Sequence, residues 1–362
     1  MSDLFIELFS EEMPPNLQIN ARRQLQKLLS ENLSSLNLKY KNLSSYSTPT
    51  RLVFFVSNLP NKIKVSATEI KGPKVGVPDN IVENFAKSKK INVKDLYEKK
   101  LDKGKFYFAK LKSKEINTED ELSKVIPKFL NEISWKKSMK WSNYDLNWGR
   151  PLRSILAIFD KKLLKFKYGH LETVNFTILE KYGEVSQKRI KDFDDYCKFL
   201  KKNEIILDHK EREKIIFQKI LSICKNKSCK EDVDQSLLFE VCNLVDSPRV
   251  IVASFDKNYL KLPKEIIKST LQTHQKYFTL VDKKDQILNE FIIVTNNKDE
   301  KKIIKTGNER VVEARLSDAS FFWERDRSLN LIKQINKLKK VIFYENLGSV
   351  YEKTQRLRKM AY

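Results

Sequence analysis

Hydrophobic and polar positions change their period along the chain, and the changes predict its elements. The opening DLFIELFSEEMPPNLQINARRQLQKLLSENL reads as a short strand, a turn carrying Glu11 and Glu12, and a helix entered at Pro14-Pro15. Proline suits a first helical turn, where the missing N–H has no partner anyway. Leu17, Ala21, Leu25, Leu28 and Leu29 share one face of that helix, with Arg22, Arg23, Gln26 and Lys27 elsewhere, so it is expected to pack on a sheet. SYSTPTRLVFFVSNL and KFYFAKLK are strand candidates rich in β-branched and aromatic residues; IVENFAKSKK and TEDELSKVIPKFLNEI read as helices.

After KWSNYDLNWGRPLRSILAIFDKKLLKF the texture repeats, with strands around 153–180, helices near 193–203 and 210–226, and a strand at VIVASF. From Leu262 a proline-started helix precedes two strands joined at Asp282–Asp285, the pattern of a hairpin. The stretch SLNLIKQINKLKKVIFYENLGSVYEKTQRLRKMAY reads as two amphipathic helices separated at Gly348, the second turning Val350, Leu357 and Ala361 inward. Its last helix stops uncapped at Met-Ala-Tyr, as expected of a chain cut short of its natural end. Mixed order of this kind predicts an α+β, multidomain protein.

At 362 residues the chain is expected to hold two domains and the start of a third. A formal charge of +23 points to polyanionic partners such as RNA, DNA or acidic lipid. Only 14 of the 70 bases are Arg, and the chain is heavy in Asn and Ile, a composition that an AT-rich genome produces by itself; charge alone leaves both readings open. Cys197, Cys224, Cys229 and Cys242 form no C-x2-C pair, and His170, His209 and His274 lie far apart, so a zinc site is not expected. With no secretory leader, the cysteines read as reduced thiols of a soluble, cytoplasmic protein. No apolar run approaches the roughly 20 residues that span a bilayer.

Phosphate-loop and dinucleotide motifs are absent: IKGPKVG has two glycines but neither G-x4-G-K-[ST] nor G-x-G-x-x-G occurs. KKSMKWS differs in residue order from the KMSKS loop of class I synthetases, and no HIGH sequence accompanies it. Glu11 and Glu12 are expected to sit at a helix N-terminus, favoured by its dipole, rather than to act as general acids. Basic residues beside aromatics are better represented. Trp135-Lys136-Lys137, Lys140-Trp141, Trp148-Gly149-Arg150 and Arg153 have the makings of stacking platforms flanked by phosphate contacts, although tryptophans are large enough that core placement competes with that reading.

The stretch GNERVVEARLSDASFFWERDR, 307–327, mixes acids, bases and aromatics. Thr306-Gly307-Asn308-Glu309 fits a capping box and predicts a helix start. Val312, Leu316, Ala319 and Trp323 then form one buried stripe with Phe322 beside it, and Arg310 with Glu313, and Arg315 with Asp318, stand three apart and can pair along the surface.

GNERVVEARLSDASFF, with the preceding HQKYF and FIIVTNN, the following LGSVYEKTQRL, and the earlier ELFSEEMPP, TPTRLVFFVSNL and IKGP, resembles in order the beta subunit of bacterial heterotetrameric glycyl-tRNA synthetase. ELFSEEMPP is similar to the family's E-[IL]-G-T-E-E-[LM]-P-P, with Phe9-Ser10 in place of Gly-Thr. Where the family carries G-H-R-F, this chain has LEKYGEVSQ, Leu179 to Gln187.

The resemblance implies an N-terminal portion of a tRNA-binding subunit without a complete active site. The implied organisation is an α+β domain at 1–150, a B3/B4-like α+β domain at 151–327, and the start of a helical HD-type region at 328–362. The implied partners are a class II alpha subunit in an alpha2beta2 assembly and tRNA(Gly), with neither membrane nor DNA. Glycine, ATP and magnesium would be held by alpha, and this chain is expected to bind no cofactor or metal. Alternatives are a B3/B4-type editing hydrolase acting on mischarged tRNA and a stand-alone RNA-binding or assembly module. Arg51, Lys71, Lys74, Lys140, Arg150, Arg153, Lys276 and Arg310, which sit in or beside these motifs with fixed positive charge, are the expected phosphate contacts.

Overall fold

Leu4, Ile6 and Leu8 point to one side of the first strand and Phe5, Glu7 and Phe9 to the other, and both sides are buried. The structure, a computed structural model, describes all residues except 66–68, 90, 102–103, 111–113, 182 and 362. It divides into two compact units, Met1–Glu211 and Arg212–Tyr362.

The first unit is built on a seven-stranded sheet. β1 (Ser2–Ser10) is followed by α1 (Pro15–Ser35), β2 (Asn42–Thr48) and β3 (Arg51–Leu59). A small excursion comes next: β4 (Lys62–Val65), β5 (Glu69–Lys74), α2 (Asp79–Lys89), β6 (Leu96–Leu101), β7 (Gly104–Lys110) and β8 (Lys114–Asn117). The chain returns through α3 (Thr118–Asn131) to β9 (Leu152–Phe159), then β10 (Lys162–Leu163), β11 (Lys167–Tyr168), β12 (Leu171–Val174), the hairpin β13 (Phe176–Lys181) and β14 (Glu184–Arg189), and α4 (Phe193–Lys202). The sheet order is β11-β12-β9-β1-β3-β2, with β10 on β9; β12 runs parallel to β9 and the other neighbours are antiparallel.

One face of this sheet meets α1 and α3 through Leu25, Leu29, Ile126 and Phe129, and the other meets Tyr196 and Leu200 of α4. Burial on both faces explains why strands such as LFIELF read as continuous apolar runs rather than alternating ones. Because β9 pairs with β1 from Leu4↔Phe159 to Ser10↔Leu152, the chain on either side of residue 150 shares one sheet. Compact packing thus divides the chain at Glu211/Arg212, whereas the sequence reading placed a boundary at 150/151.

The second unit has α5 (His209–Lys227, its first residues in the first unit), β15 (Lys230–Asp232), α6 (Gln235–Cys242), β16 (Arg249–Ser254), α7 (Lys264–Lys268), β17 (Phe278–Val281), β18 (Ile287–Thr295) and α8 (Ile303–Ser328). Its antiparallel sheet runs β15-β17-β18-β16. Ile216 and Ile220 of α5 and Leu238 and Val241 of α6 pack on Phe278 and Ile292, while Val312 and Leu316 of α8 pack with Phe291 and Ile293. The expected α+β class is what this architecture shows.

The last stretch departs from expectation. In place of a first amphipathic helix there is a single turn, α9 (Leu331–Gln334), then a 3-10 segment at Ile335–Lys340 and a strand pair, β19 (Ile342–Tyr344) with β20 (Gly348–Ser349). Gly348 does take a left-handed backbone, φ 78°, but it closes this strand pair rather than a helix. α10 (Val350–Ala361) follows, and Leu357, expected inward, is 54% exposed. Among the described residues from Ser328 onward no side chain is buried.

Candidate functional site

Three of the sequence motifs meet at one end of the seven-stranded sheet. The turn after β1 is stitched to its neighbours by Ser10 N–H to Thr50 O at 2.9 Å, Met13 N–H to Pro49 O at 2.7 Å and Glu11 N–H to Pro151 O at 3.0 Å, so ELFSEEMPP, TPTR and GRPLR are held together. Beneath the turn, Arg51 is 2% exposed and Glu7 1%. The Arg51 guanidinium stands over the Phe9 ring at 4.9 Å, donates to Ile178 O at 2.5 Å and to Thr50 Oγ1 at 3.0 Å, and places Nε 3.9 Å from Glu7 Oε2.

Thr177 Oγ1 donates to both Glu7 carboxylate oxygens, at 2.9 and 2.8 Å. Burial pushes the Glu7 carboxyl above its ordinary range, and the Arg51 charge with the Tyr196 and Thr177 hydroxyls pulls against that rise. The same burial, with the Glu7 charge nearby, raises the Tyr196 phenol well above its usual value. A carboxylate so enclosed cannot serve as a solvent-facing acid or base; its partners make it a lock between β1, β3, β13 and α4.

Glu11, expected at a helix N-terminus, is not in the first turn of α1, which begins at Pro15 with Pro14 before it. Its carboxylate instead lies 3.4 Å from Arg153, which also pairs with Glu180 and approaches the Phe9 ring at 5.5 Å. Arg22, expected on the polar side of α1, is 7% exposed and donates to Ser47 Oγ at 2.6 Å.

The expected phosphate contacts are distributed as follows. Arg51 is enclosed, its charge committed to Glu7, and in this arrangement it presents nothing to a phosphate. Arg150 and Arg153 follow it at the same sheet end, half-buried, Arg150 donating to Gly149 O at 2.8 Å. Lys140 is exposed, 3.9 Å from Asp145. Lys71 and Lys74 are exposed on β5. Lys276 in the second unit bonds Glu240 at 2.8 Å, and Arg310 is exposed on α8. Within the first unit, then, the arginines gather at the sheet end and Lys71 and Lys74 lie together on β5.

The tryptophans resolve toward packing. Trp148 is fully buried, 4.8 Å from Trp135 between ring centres, and Trp135 and Trp141 pack partly buried on the same core. Gly149 is where the backbone passes beneath Trp135: a Cβ there would lie 2.5 Å from the indole.

In the second unit the 307–327 stretch is helical, as expected, but it starts earlier. α8 begins at Ile303, where Asp299 accepts from the N–H groups of Ile304 and Lys305 at 2.9 and 2.8 Å. Thr306 therefore lies inside the helix, and Glu309 is free to accept from Ser254 N–H at 2.8 Å, tying α8 to the end of β16. A capping box does form at Ser349 and Glu352: Ser349 N–H donates to Glu352 Oε2 at 2.6 Å and Glu352 N–H to Ser349 Oγ at 3.3 Å.

Val312 and Leu316 are fully buried and Ala319 and Trp323 partly, while Phe322 is 56% exposed rather than beside the buried stripe. Neither Arg310 with Glu313 nor Arg315 with Asp318 forms an ion pair among the described ones; Lys305 pairs with Glu309 at 3.7 Å instead. The departure LEKYGEVSQ forms the β13–β14 hairpin, with residue 182 outside the described set.

Glu7, Thr177 and Tyr196 were not singled out by sequence reasoning; the available signal was an acid in the middle of the apolar run LFIELF. Cys197, Cys224, Cys229 and Cys242 are unbridged, and among the described residues no helix is long and apolar enough to cross a membrane and no group of His, Cys, Asp and Glu is placed to hold a metal.

Residues 4–362 match the family described as glycyl-tRNA synthetase beta subunit. The chain is 33% identical over 363 residues to the glycine–tRNA ligase beta subunit of Rickettsia felis, 35% over 358 residues to that of Rickettsia prowazekii, and 34% over 358 residues to that of Rickettsia bellii. Each alignment takes in 99% of this chain and 54% of the relative, so the chain spans about half the length of these relatives.

Proposed function

This chain belongs to the glycyl-tRNA synthetase beta-subunit family, and from that premise we propose that it is the tRNA-contacting portion of a glycine–tRNA ligase beta subunit and holds no complete aminoacylation site. The observation that carries the reading is the family match along residues 4–362. The surplus of 23 positive charges supports contact with a polyanion. On this reading glycine, ATP and magnesium sit on a class II alpha partner in an alpha2beta2 assembly in the cytoplasm, and ester formation takes place there. The reading extends to a B3/B4-like character for the second domain, supported by a sheet flanked on both faces by helices.

The test has two arms. The isolated chain is expected to bind tRNA(Gly) with an affinity that falls steeply with salt, because binding releases condensed counterions. It is expected to exchange no pyrophosphate into ATP with glycine until alpha subunit is added. Robust exchange by the pure chain would defeat the proposal, as would tRNA affinity unchanged between two salt concentrations. Hydrolysis of a mischarged tRNA ester by the pure chain would favour an editing role instead.

A further inference from the structure

The excursion between β3 and α3 carries its own small antiparallel sheet, β5-β7-β6, with α2 against one side. Gly72 marks the covered side: a Cβ there would meet the Phe85 ring of α2 at 2.8 Å, and Ala86 and Ala109 are both buried. The register fixes the other side. Lys71 stands opposite Phe108 and Lys74 opposite Phe106 from β5, and Tyr97 opposite Phe108 and Lys99 opposite Phe106 from β6. Two phenyl rings thus lie along the central strand with lysines from both flanking strands beside them.

Among the described residues an ammonium group lies over each ring, and the Tyr97 ring stands 6.3 Å from Phe108. The Lys71 ammonium lies 3.6 Å from the centre of the Phe106 ring, and that of Lys99 lies 5.3 Å from Phe108. Glu69, reaching from β5 to Tyr97 and to Lys99 at 2.6 Å, bridges the sheet at the Phe108 end. Phe108 is 7% exposed, whereas Phe106 is only half-buried. An ammonium over a solvent-accessible ring is a weakly held cover. A planar base that replaced it would leave the lysine free to meet the phosphate of the same nucleotide.

We propose that this face, centred on Phe106, is a stacking platform for an unpaired RNA base, with Lys71, Lys74 and Lys99 on the flanking phosphates. Charge selects the occupant: residues 62–117 hold 15 Lys and no Arg against seven acids. Stacking requires a base free of its duplex, so the ligand is a single-stranded segment. The inference rests on the tRNA-contact reading above and adds Phe106 and Lys99 to the expected contacts Lys71 and Lys74.

The test uses the full chain and a fluorescein-labelled oligoadenylate of about ten nucleotides, within the site sizes such platforms cover. Phe106→Leu is expected to lower affinity about tenfold, while Phe106→Tyr, which keeps a π-face, stays within about twofold of the unaltered chain. Lys71→Gln is expected to weaken binding and reduce the salt slope by about one. Phe106 is half-buried, and a melting curve for each variant checks that the fold is retained. Equal binding by the Leu and Tyr variants would overturn the proposal, as would failure of the unaltered chain to bind the oligonucleotide. If that chain also fails to bind tRNA(Gly), the functional reading falls with it; if it binds tRNA(Gly), only the platform is lost.

Discussion

Arg51 and Glu7 face each other from neighbouring strands at 3.9 Å, each almost wholly out of solvent. Removing one member of a buried pair leaves the other's charge uncompensated, so Arg51→Ala is expected to destabilise the chain by about 3–5 kcal/mol in urea denaturation. Because the guanidinium is enclosed, tRNA affinity measured on the folded fraction should stay within about twofold of the unaltered chain, against the several-fold loss expected of a phosphate contact.

Glu7 also predicts a pH dependence. Its folded pKa is raised, with burial the leading cause, so the native state takes up this proton at higher pH than the unfolded chain does. Ionisation therefore costs stability above the raised value, and that cost is relieved as pH falls through it. Glu7→Gln removes the titration. The melting temperature of the unaltered chain relative to the Gln variant should rise between pH 7 and pH 5; a constant or opposite difference would contradict the assignment.

Along α8 the ranking of substitutions separates packing from surface. Leu316 is fully buried, and Leu316→Ala is expected to cost about 2–5 kcal/mol by thermal or denaturant unfolding. Trp323→Ala should cost less than a fully buried Trp would, since its ring is only partly covered. Arg310→Ala, on the exposed side without an ion pair, should stay within about 0.5 kcal/mol.

Two acidic side chains anchor the same helix. Asp299→Ala removes the acceptor for the first free N–H groups and is expected to cost about 0.5–2 kcal/mol. Glu309→Ala strands the Ser254 N–H and is expected to cost about 1–3 kcal/mol. Thr306→Ala, at the cap expected from sequence but inside the helix in the structure, should be close to neutral; a loss equal to that of Asp299→Ala would favour a start at Thr306.

Gly149→Ala is expected to shift Trp135, since the added methyl would overlap the indole, with about 1–3 kcal/mol of destabilisation and a changed tryptophan emission spectrum.

Elements with strong periodicity were legible: α1, α3, α4, α5, the β17–β18 hairpin and the proline-started α7 all fall where the pattern placed them. What sequence could not supply was the partner of each polar group. Arg22 is buried because Ser47, far along the chain on another strand, receives its hydrogen bond. The start of α8 moved because Asp299 lies upstream of a Thr-x-x-Glu run that satisfies the capping rule equally well. In the segment after α8, helical spacing in LIKQINKLKK leads into the β-branched and aromatic run VIFY, and the latter pairs with Gly348–Ser349. Of the expected basic contacts, sequence gave charge and motif but not exposure, which is why Arg51 stood beside Lys71 in the same set.

The placement of β9 next to β1 governs how this polypeptide can be shortened. Glu7 finds Val53 on one side after a brief excursion, but on the other it waits for Leu156. A nascent chain emerging from the ribosome therefore carries β1 with a naked edge, rich in buried-type side chains, until the β9 segment arrives. A recombinant fragment ended at residue 150 would keep that edge permanently, offering an adhesive strand to any neighbour. Fragments meant for solution work should run through Phe159 at the least, and through α4 if the second face is also to be covered.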